Sequence, residues 1–308
     1  MARLLRRPFG ENGFALVITL LVTAIIISVL AEIVFSVHMD STATGGYVDF
    51  QNAGFMARDG LPIAVEISRD INGAGYTYLD EDNATETFKG GMGEIDVSLA
   101  DEAGRLSLNA IVYKNGEINQ GFYDMYVRLL DELELPSSLA GTLADWIDSD
   151  DSVRKDGGEN SDYYMRQSPP YMSKGGPLSS VEELYLVKGY GKEEVEKLKK
   201  FVTVHTEGKV NINTAPREVI EAISPEITDD MARDVVSYRK GMAFENTADI
   251  RKVSGFEQIG FNLQNSIIVK SDIFRAFITA RTGKSRSMVE ALFKVNEKNY
   301  TTYYYRQR

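Results

Sequence analysis

Apolar residues dominate from Phe14 to Val37, where Glu32 is the only charge. As a helix rising about 1.5 Å per residue, that run reaches about 36 Å, enough to cross a bilayer core. Arg3, Arg6 and Arg7 precede it and no base follows directly. That asymmetry predicts an N-terminus on the cytoplasmic side and the bulk of the chain across the membrane. Helical periodicity then continues. Tyr47, Phe50, Gly54, Ala57, Leu61 and Ala64 recur every three or four residues and share one helix face. The small members of that stripe suit close packing on a sheet, while Gly45-Gly46 and Pro62 are expected to loosen or bend the helix. The pattern predicts one long, imperfect helix from Phe14 to about Ile71.

Residues 72–93 read as loop, since Asn72-Gly-Ala-Gly75 opens the stretch and Gly90-Gly91 closes it. Glu94–Leu99 and Arg105–Asn109 alternate apolar and polar positions around the turn Asp101–Gly104, which predicts a hairpin. Asn265–Lys270, Ile273–Arg281 and Ser287–Val295 are strand-like, with a turn signal at Thr282-Gly-Lys284. The aromatic tail Tyr300–Tyr305 reads as an edge strand. Between these strands the chain repeats itself. Gly104–Asn109 matches Gly208–Asn213, and Leu178–Tyr190 matches Phe244–Phe256, with Gly189 falling on Gly255. Two small helical units, 104–203 and 208–262, are therefore expected as an insertion into an α+β body whose strands resume over 265–308.

Composition narrows the chemistry. Without residues 1–13, which hold three arginines and one glutamate, the net charge moves from −11 to −13. So acidic a body repels phosphate backbones and suits cations instead. The chain contains no cysteine, hence no disulfide and no thiolate chemistry. Its two histidines, His38 and His205, are too few for a histidine-rich zinc site. His38 reads as an interfacial bystander just past the apolar run.

Seven carboxylates fall between Asp145 and Asp162, in a stretch rich in loop formers. Hard cations such as calcium take oxygen ligands from loops of this kind. Asp148, Asp150, Ser152, Asp156 and Glu159 fit positions 1, 3, 5, 9 and 12 of an EF-hand of about twelve residues. Val153 nevertheless replaces the turn glycine, Lys155 the apolar position, and Pro169-Pro170 stand where an exit helix would continue. The EF-hand is rejected. Spacing alone leaves two readings open, a solvated acidic loop and a cation site. Trp146 reads as a core anchor beside it. The hairpin Val187–Gly191 could offer amides to a phosphate, but the acidic charge and Ser224-Pro-Glu in the second copy favour a packing scaffold over a nucleic-acid reader. No base or nucleophile accompanies the carboxylates, so an enzyme is not expected.

Glu11-Asn-Gly-Phe-Ala-Leu-Val17 resembles the leader of type IV prepilins and type II secretion pseudopilins. That resemblance implies cleavage by a prepilin peptidase after Gly13, methylation of Phe14 as the new N-terminus, and retention of 14–37 as a transmembrane helix. Pilin-like proteins usually carry a glutamate where this chain has Ile18. A buried carboxylate in hydrocarbon is costly unless paired, and a subunit with no neighbour above it has no use for one. The missing glutamate, Asp145-Trp-Ile-Asp-Ser-Asp150 with its following Gly-Gly-Glu and Tyr-Tyr, Val181–Gly189, and Asn211-Ile-Asn-Thr-Ala215 together resemble the minor pseudopilin K family.

The resemblance implies a pilin-like body over 38–103 and 265–308, namely a long helix on an antiparallel sheet. It also implies an inserted all-α domain of two SAM-like, helix-hairpin-helix-like repeats. It makes Asp148, Asp150, Asp151, Asp156, Glu159 and Asp162 the candidate ligands of a structural calcium ion, one extra residue separating Glu159 from Tyr163 relative to the family pattern. It further implies a non-enzymatic subunit of the bacterial inner membrane, single-pass with its bulk in the periplasm. Such a subunit would cap the secretion pseudopilus with other minor pseudopilins, assembled on an inner-membrane platform and supporting export of folded proteins. A minor pilin of a type IV pilus is the alternative.

Overall fold

The computed structural model describes residues 11–80, 84–149, 152–154 and 158–308. Helix α1 (Glu11–Asn72) is continuous through both glycines and the proline. No interruption occurs at either place. A Cβ on Gly45 or Gly46 would stand in open space, and the Ser285 hydroxyl donates to the Gly46 carbonyl at 3.5 Å. Pro62 lies on the solvent face, and so does Arg58, so the carbonyl deprived of its amide partner faces water.

Among the described residues nine strands follow: β1 (Thr85–Gly90), β2 (Gly93–Asp101), β3 (Leu106–Ser107), β4 (Val202–Thr203), β5 (Val210–Asn211), β6 (Ile267–Ile268), β7 (Ile273–Thr282), β8 (Ser285–Val295) and β9 (Tyr300–Gln307). The main sheet has the order β1-β2-β7-β8-β9, antiparallel throughout. Asp101 ends β2 opposite Phe274 of β7, so everything between leaves and re-enters the sheet at one place. The expected hairpin is thereby corrected: β2 pairs with β1, from the stretch read as loop, and with β7. Thr85–Gly90 is fully exposed and polar, an edge strand whose alternation has no buried face to reveal it. Of 265–270, only Ile267–Ile268 pairs, and it pairs with β5 outside the main sheet. The β7–β8 turn and the β9 edge strand lie where the sequence puts them.

The helix face on the sheet is built from Ala53, Ala57, Gly60, Leu61 and Ala64. Tyr47 and Phe50 of the expected stripe are 64% and 56% exposed, because only the hairpin end of the sheet reaches that level. A Cβ on Gly60 would sit 2.5 Å from Ile278 Cγ2, which makes glycine the condition for this close approach.

The insertion has its own hydrophobic core, separate from that of the body. It contains α2 (Gln120–Glu132), α3 (Leu139–Ile147), α4 (Ser161–Met165), α5 (Lys192–Leu198), α6 (Arg217–Ala222), α7 (Asp229–Gly241) and α8 (Gly260–Leu263). Residues that match in sequence behave alike. β3 pairs in parallel with β4, and β5 with β6. Asn109 accepts from the Leu178 amide at 2.7 Å and donates to its carbonyl at 3.0 Å. Asn213 does the same with Phe244, at 2.8 and 2.9 Å. Gly189 and Gly255 share φ 86°.

Insertion and body meet at two adjacent buried carboxylates. Asp101 accepts from Ala103 N at 2.8 Å, Asn211 Nδ2 at 2.7 Å and Thr214 Oγ1 at 2.6 Å. Glu102 accepts from Arg275 Nε at 2.8 Å, Arg105 Nη1 at 3.1 Å and Thr203 Oγ1 at 2.5 Å. Burial raises the pKa of both. At Asp101 burial prevails, whereas at Glu102 the guanidiniums of Arg105 and Arg275 hold the carboxyl below its usual range. The end of α1 is tied in as well, through Asn72 Nδ2 to the Ser271 carbonyl at 2.8 Å.

Gly60→Ala is expected to destabilise the chain by about 1–3 kcal/mol through overpacking against Ile278. Gly45→Ala, with open space around it, is expected to be neutral or stabilising by about 0.5–1 kcal/mol. Urea unfolding of the two variants in detergent checks the contrast, and equal effects would contradict the packing described.

Candidate functional site

The acidic segment begins on α3, every residue of which is buried. Asp145 lies in its last turn and Asp148 is its C-cap, at 4% and 2% exposure. Their spacing of three brings both carboxylates to one side of the helix end, where the chain turns back over them. Arg154 fills the space between. Its Nε is 2.9 Å from Asp145 Oδ1, its Nη2 donates to Asp148 Oδ2 at 2.9 Å, and its backbone amide donates to Asp145 Oδ2 at 2.9 Å. Gly158 packs so tightly here that a Cβ would lie 1.9 Å from Asp145 Oδ2.

The outer wall of the loop is aromatic. Trp146 is buried, donates to Glu183 Oε1 at 3.1 Å, and meets Tyr164 edge-on at a centroid distance of 4.9 Å. Tyr164 is fully covered, and burial pushes its hydroxyl up to about 12. Lys188 pairs with Glu159 and stands 5.1 Å over the Tyr163 ring. Burial raises the Glu183 pKa, but its bonds from Lys174, the Ser179 amide and Trp146 outweigh that and hold the carboxyl below its usual range. These contacts hold the walls of the loop in place from α3, α4 and the 181–186 turn.

The six expected ligands divide. Asp148 is buried at the helix end, Glu159 faces Lys188, and Asp162 is exposed in the first turn of α4. Asp150, Asp151 and Asp156 lie outside the described residues, as does the leader before Glu11. Among the described residues, no three carboxylates or histidines converge as a metal site. Asp145 was counted in the acidic cluster but not among the six ligands, and Arg154 was not anticipated. The three-residue spacing from Asp145 to Asp148 at a helix end was the signal for the first. Buried carboxylate oxygens at the mouth of a loop are the donors that a hard cation takes. The donor set fits calcium in kind.

Asn211 and Asn213 are buried and bonded to Asp101 and to backbone groups of Thr77 and Phe244. In the Val187–Gly191 hairpin the amides of Tyr190 and Gly191 bond to the carbonyls of Val187 and Gly189. Both motifs therefore serve internal packing. The N-terminal part of α1 is the one helix, among the described residues, long and apolar enough to cross a membrane, with a mean hydropathy of 2.9.

The family described as Type II secretion system (T2SS), protein K matches residues 104–207 in its first-domain profile and 210–269 in a second, together more than half of the chain. The chain is 26% identical to type II secretion system protein K of Pseudomonas aeruginosa, over 91% of this chain and 87% of that protein. It is 22% identical to protein K of Aeromonas hydrophila, over 92% of each. It shares its fold with a chain in the crystal structure of the GspK-GspI-GspJ complex from enterotoxigenic Escherichia coli. There the TM-score is 0.71 at 18% identity, covering 86% of this chain and 99% of that one. The chain belongs to the type II secretion system protein K family, the minor pseudopilins of that export machinery.

Proposed function

We propose that this chain is the subunit at the tip of the secretion pseudopilus, held in the inner membrane by residues 14–37 with the rest in the periplasm. The supporting observation is the place of the insertion. It leaves the sheet at Asp101 and returns at Ile273, beside the end of α1 at Asn72. From Val37 to Asn72 the helix rises about 52 Å at 1.5 Å per residue. The bulk of the insertion is therefore carried at the end farthest from the membrane, where a further subunit would have to stack. Ile18 in place of a glutamate agrees with a subunit that has no neighbour above it.

The partners in this reading are other minor pseudopilins, as in the related complex of three different chains. A prepilin peptidase cuts after Gly13 and exposes Phe14 for methylation, and an inner-membrane platform assembles the filament. The chain has a structural role and catalyses no reaction. The alternative, a minor pilin of a type IV pilus, would share the leader but not the family match over 104–269.

The acidic loop in this reading holds a calcium ion through Asp148, Asp150, Asp151, Asp156, Glu159 and Asp162, with Asp145 beside them. The ion would supply positive charge to carboxylates that otherwise repel one another. Chelation is expected to lower the melting temperature of the full chain, and added calcium to restore it. A melting curve unmoved by either treatment would remove the ion from the account. Gold-labelled antibody against the insertion is expected to mark one end of isolated pseudopili; label spread along the shaft would contradict the tip position.

A further inference from the structure

The main sheet has two faces, and α1 covers only one of them. On that side lie Val97, Ala276, Ile278, Val289 and Ala291. The opposite face is closed at its upper end by the insertion, through Arg275 on Glu102 and through Tyr303 stacked on His205 at 5.8 Å. Its lower end is uncovered. Register decides which side chains meet there: Arg281 faces Arg286, Thr279 faces Met288, Phe277 faces Glu290, and Glu290 faces Arg306. Directly opposed residues of antiparallel strands point to the same side. Arg308 exchanges both backbone hydrogen bonds with Met288 and so continues the row.

A hollow of about 190 Å³ lies on this surface, lined by Phe277, Thr279, Met288, Glu290, Arg306 and Arg308. Phe277 is 45% exposed, an aromatic ring in the middle of an otherwise ordered sheet. The charges around it are unbalanced. Arg281 is neutralised by Glu94 and Asp96, and Glu290 is engaged by Arg275. Arg306 and Arg308 line the hollow, are exposed and form no ion pair with any described residue. Two exposed guanidiniums beside an exposed ring, in a chain of net charge −11, form a local site for anions bearing apolar groups.

Two sources of such anions exist, lipid headgroups and protein carboxylates. Height above the membrane separates them. Gln307, between the two terminal arginines, donates to the Gly54 carbonyl at 2.9 Å. Gly54 lies seventeen residues beyond Val37, about 25 Å along the helix axis. The headgroup layer is only about 5–8 Å deep on each side. An arginine side chain does not bridge the difference.

We propose that this hollow is the docking surface for an acidic segment of a neighbouring pseudopilin. Its carboxylates would meet Arg306 and Arg308, and an apolar side chain would seat on Phe277 and Met288. The proposal rests on the tip-complex reading above and adds to it a defined surface and the chemistry of the partner. A photo-crosslinking amino acid at position 277 of the full chain, expressed with the other pseudopilins, tests it. The same group at Phe55, an exposed position of α1, serves as reference.

The expected result is a covalent adduct with another pseudopilin from both positions. Arg306→Glu with Arg308→Glu reduces the adduct at 277 by about tenfold, the effect of losing about 1.4 kcal/mol of pairing. The same pair changed to lysine retains most of it, and the adduct at 55 persists in both variants, which shows that they fold. Lipid adducts, exported proteins or no adduct at 277, with position 55 still reaching a pseudopilin, would overturn the docking surface alone. So would a yield at 277 indifferent to charge reversal. Absence of pseudopilin adducts at both positions would overturn the tip-complex reading with it.

Discussion

A fully buried carboxylate cannot stay charged in a protein interior without strong partners, and Glu102 has two guanidiniums and a hydroxyl. Each comes from a different place. Arg275 belongs to β7 of the body, Arg105 to the first residues of the insertion, and Thr203 to the strand that closes its first unit. Asp101, one residue earlier, gathers Asn211 and Thr214 from the second unit. Two consecutive side chains thus bind the sheet to both halves of the insertion. The separate cores of body and insertion could otherwise pivot about two crossing strands. With the junction made, the long helix and the bulky insertion form a single lever.

That rigidity gives the functional reading its meaning. In the proposed tip position, a fixed junction would hold the insertion at a set place relative to the helix. The acidic loop is placed on the same rigid frame. Asp145 and Asp148 sit at the end of a buried helix, and their partner Arg154 closes the loop over them. The open face of the sheet carries Arg306 and Arg308, which form no ion pair with any described residue.

Much of this was legible in the sequence, for identifiable reasons. The apolar run specified a helix long and apolar enough to cross a membrane, and the match of Gly104–Asn109 with Gly208–Asn213 located paired asparagines that make matching bonds to Leu178 and Phe244. The turn at Thr282-Gly-Lys284 was readable because a positive φ at Gly283 demands that chemistry. Strand β1 was missed, because an edge strand exposed on both sides shows no apolar alternation. The hairpin of Glu94–Leu99 with Arg105–Asn109 was wrong because Asp101, read as turn former, caps a short helical turn that sends the chain away from the sheet. Arg154 was invisible, since nothing local says that a loop arginine will fold back onto two helix-end aspartates. The close approach at Gly60 was hidden for the same reason: it depends on Ile278, far away in sequence.

The rigid junction is the claim on which the account turns. The chain has no cysteine, so nitroxides can be placed on the full chain at Lys200 of the insertion and Thr301 of the sheet, both exposed. Pulsed electron spin resonance in detergent is expected to give one narrow distance distribution, broadened and shifted by Glu102→Gln while the chain stays folded. A broad distribution in the unaltered chain, or an unchanged narrow one in the glutamine variant, would contradict it.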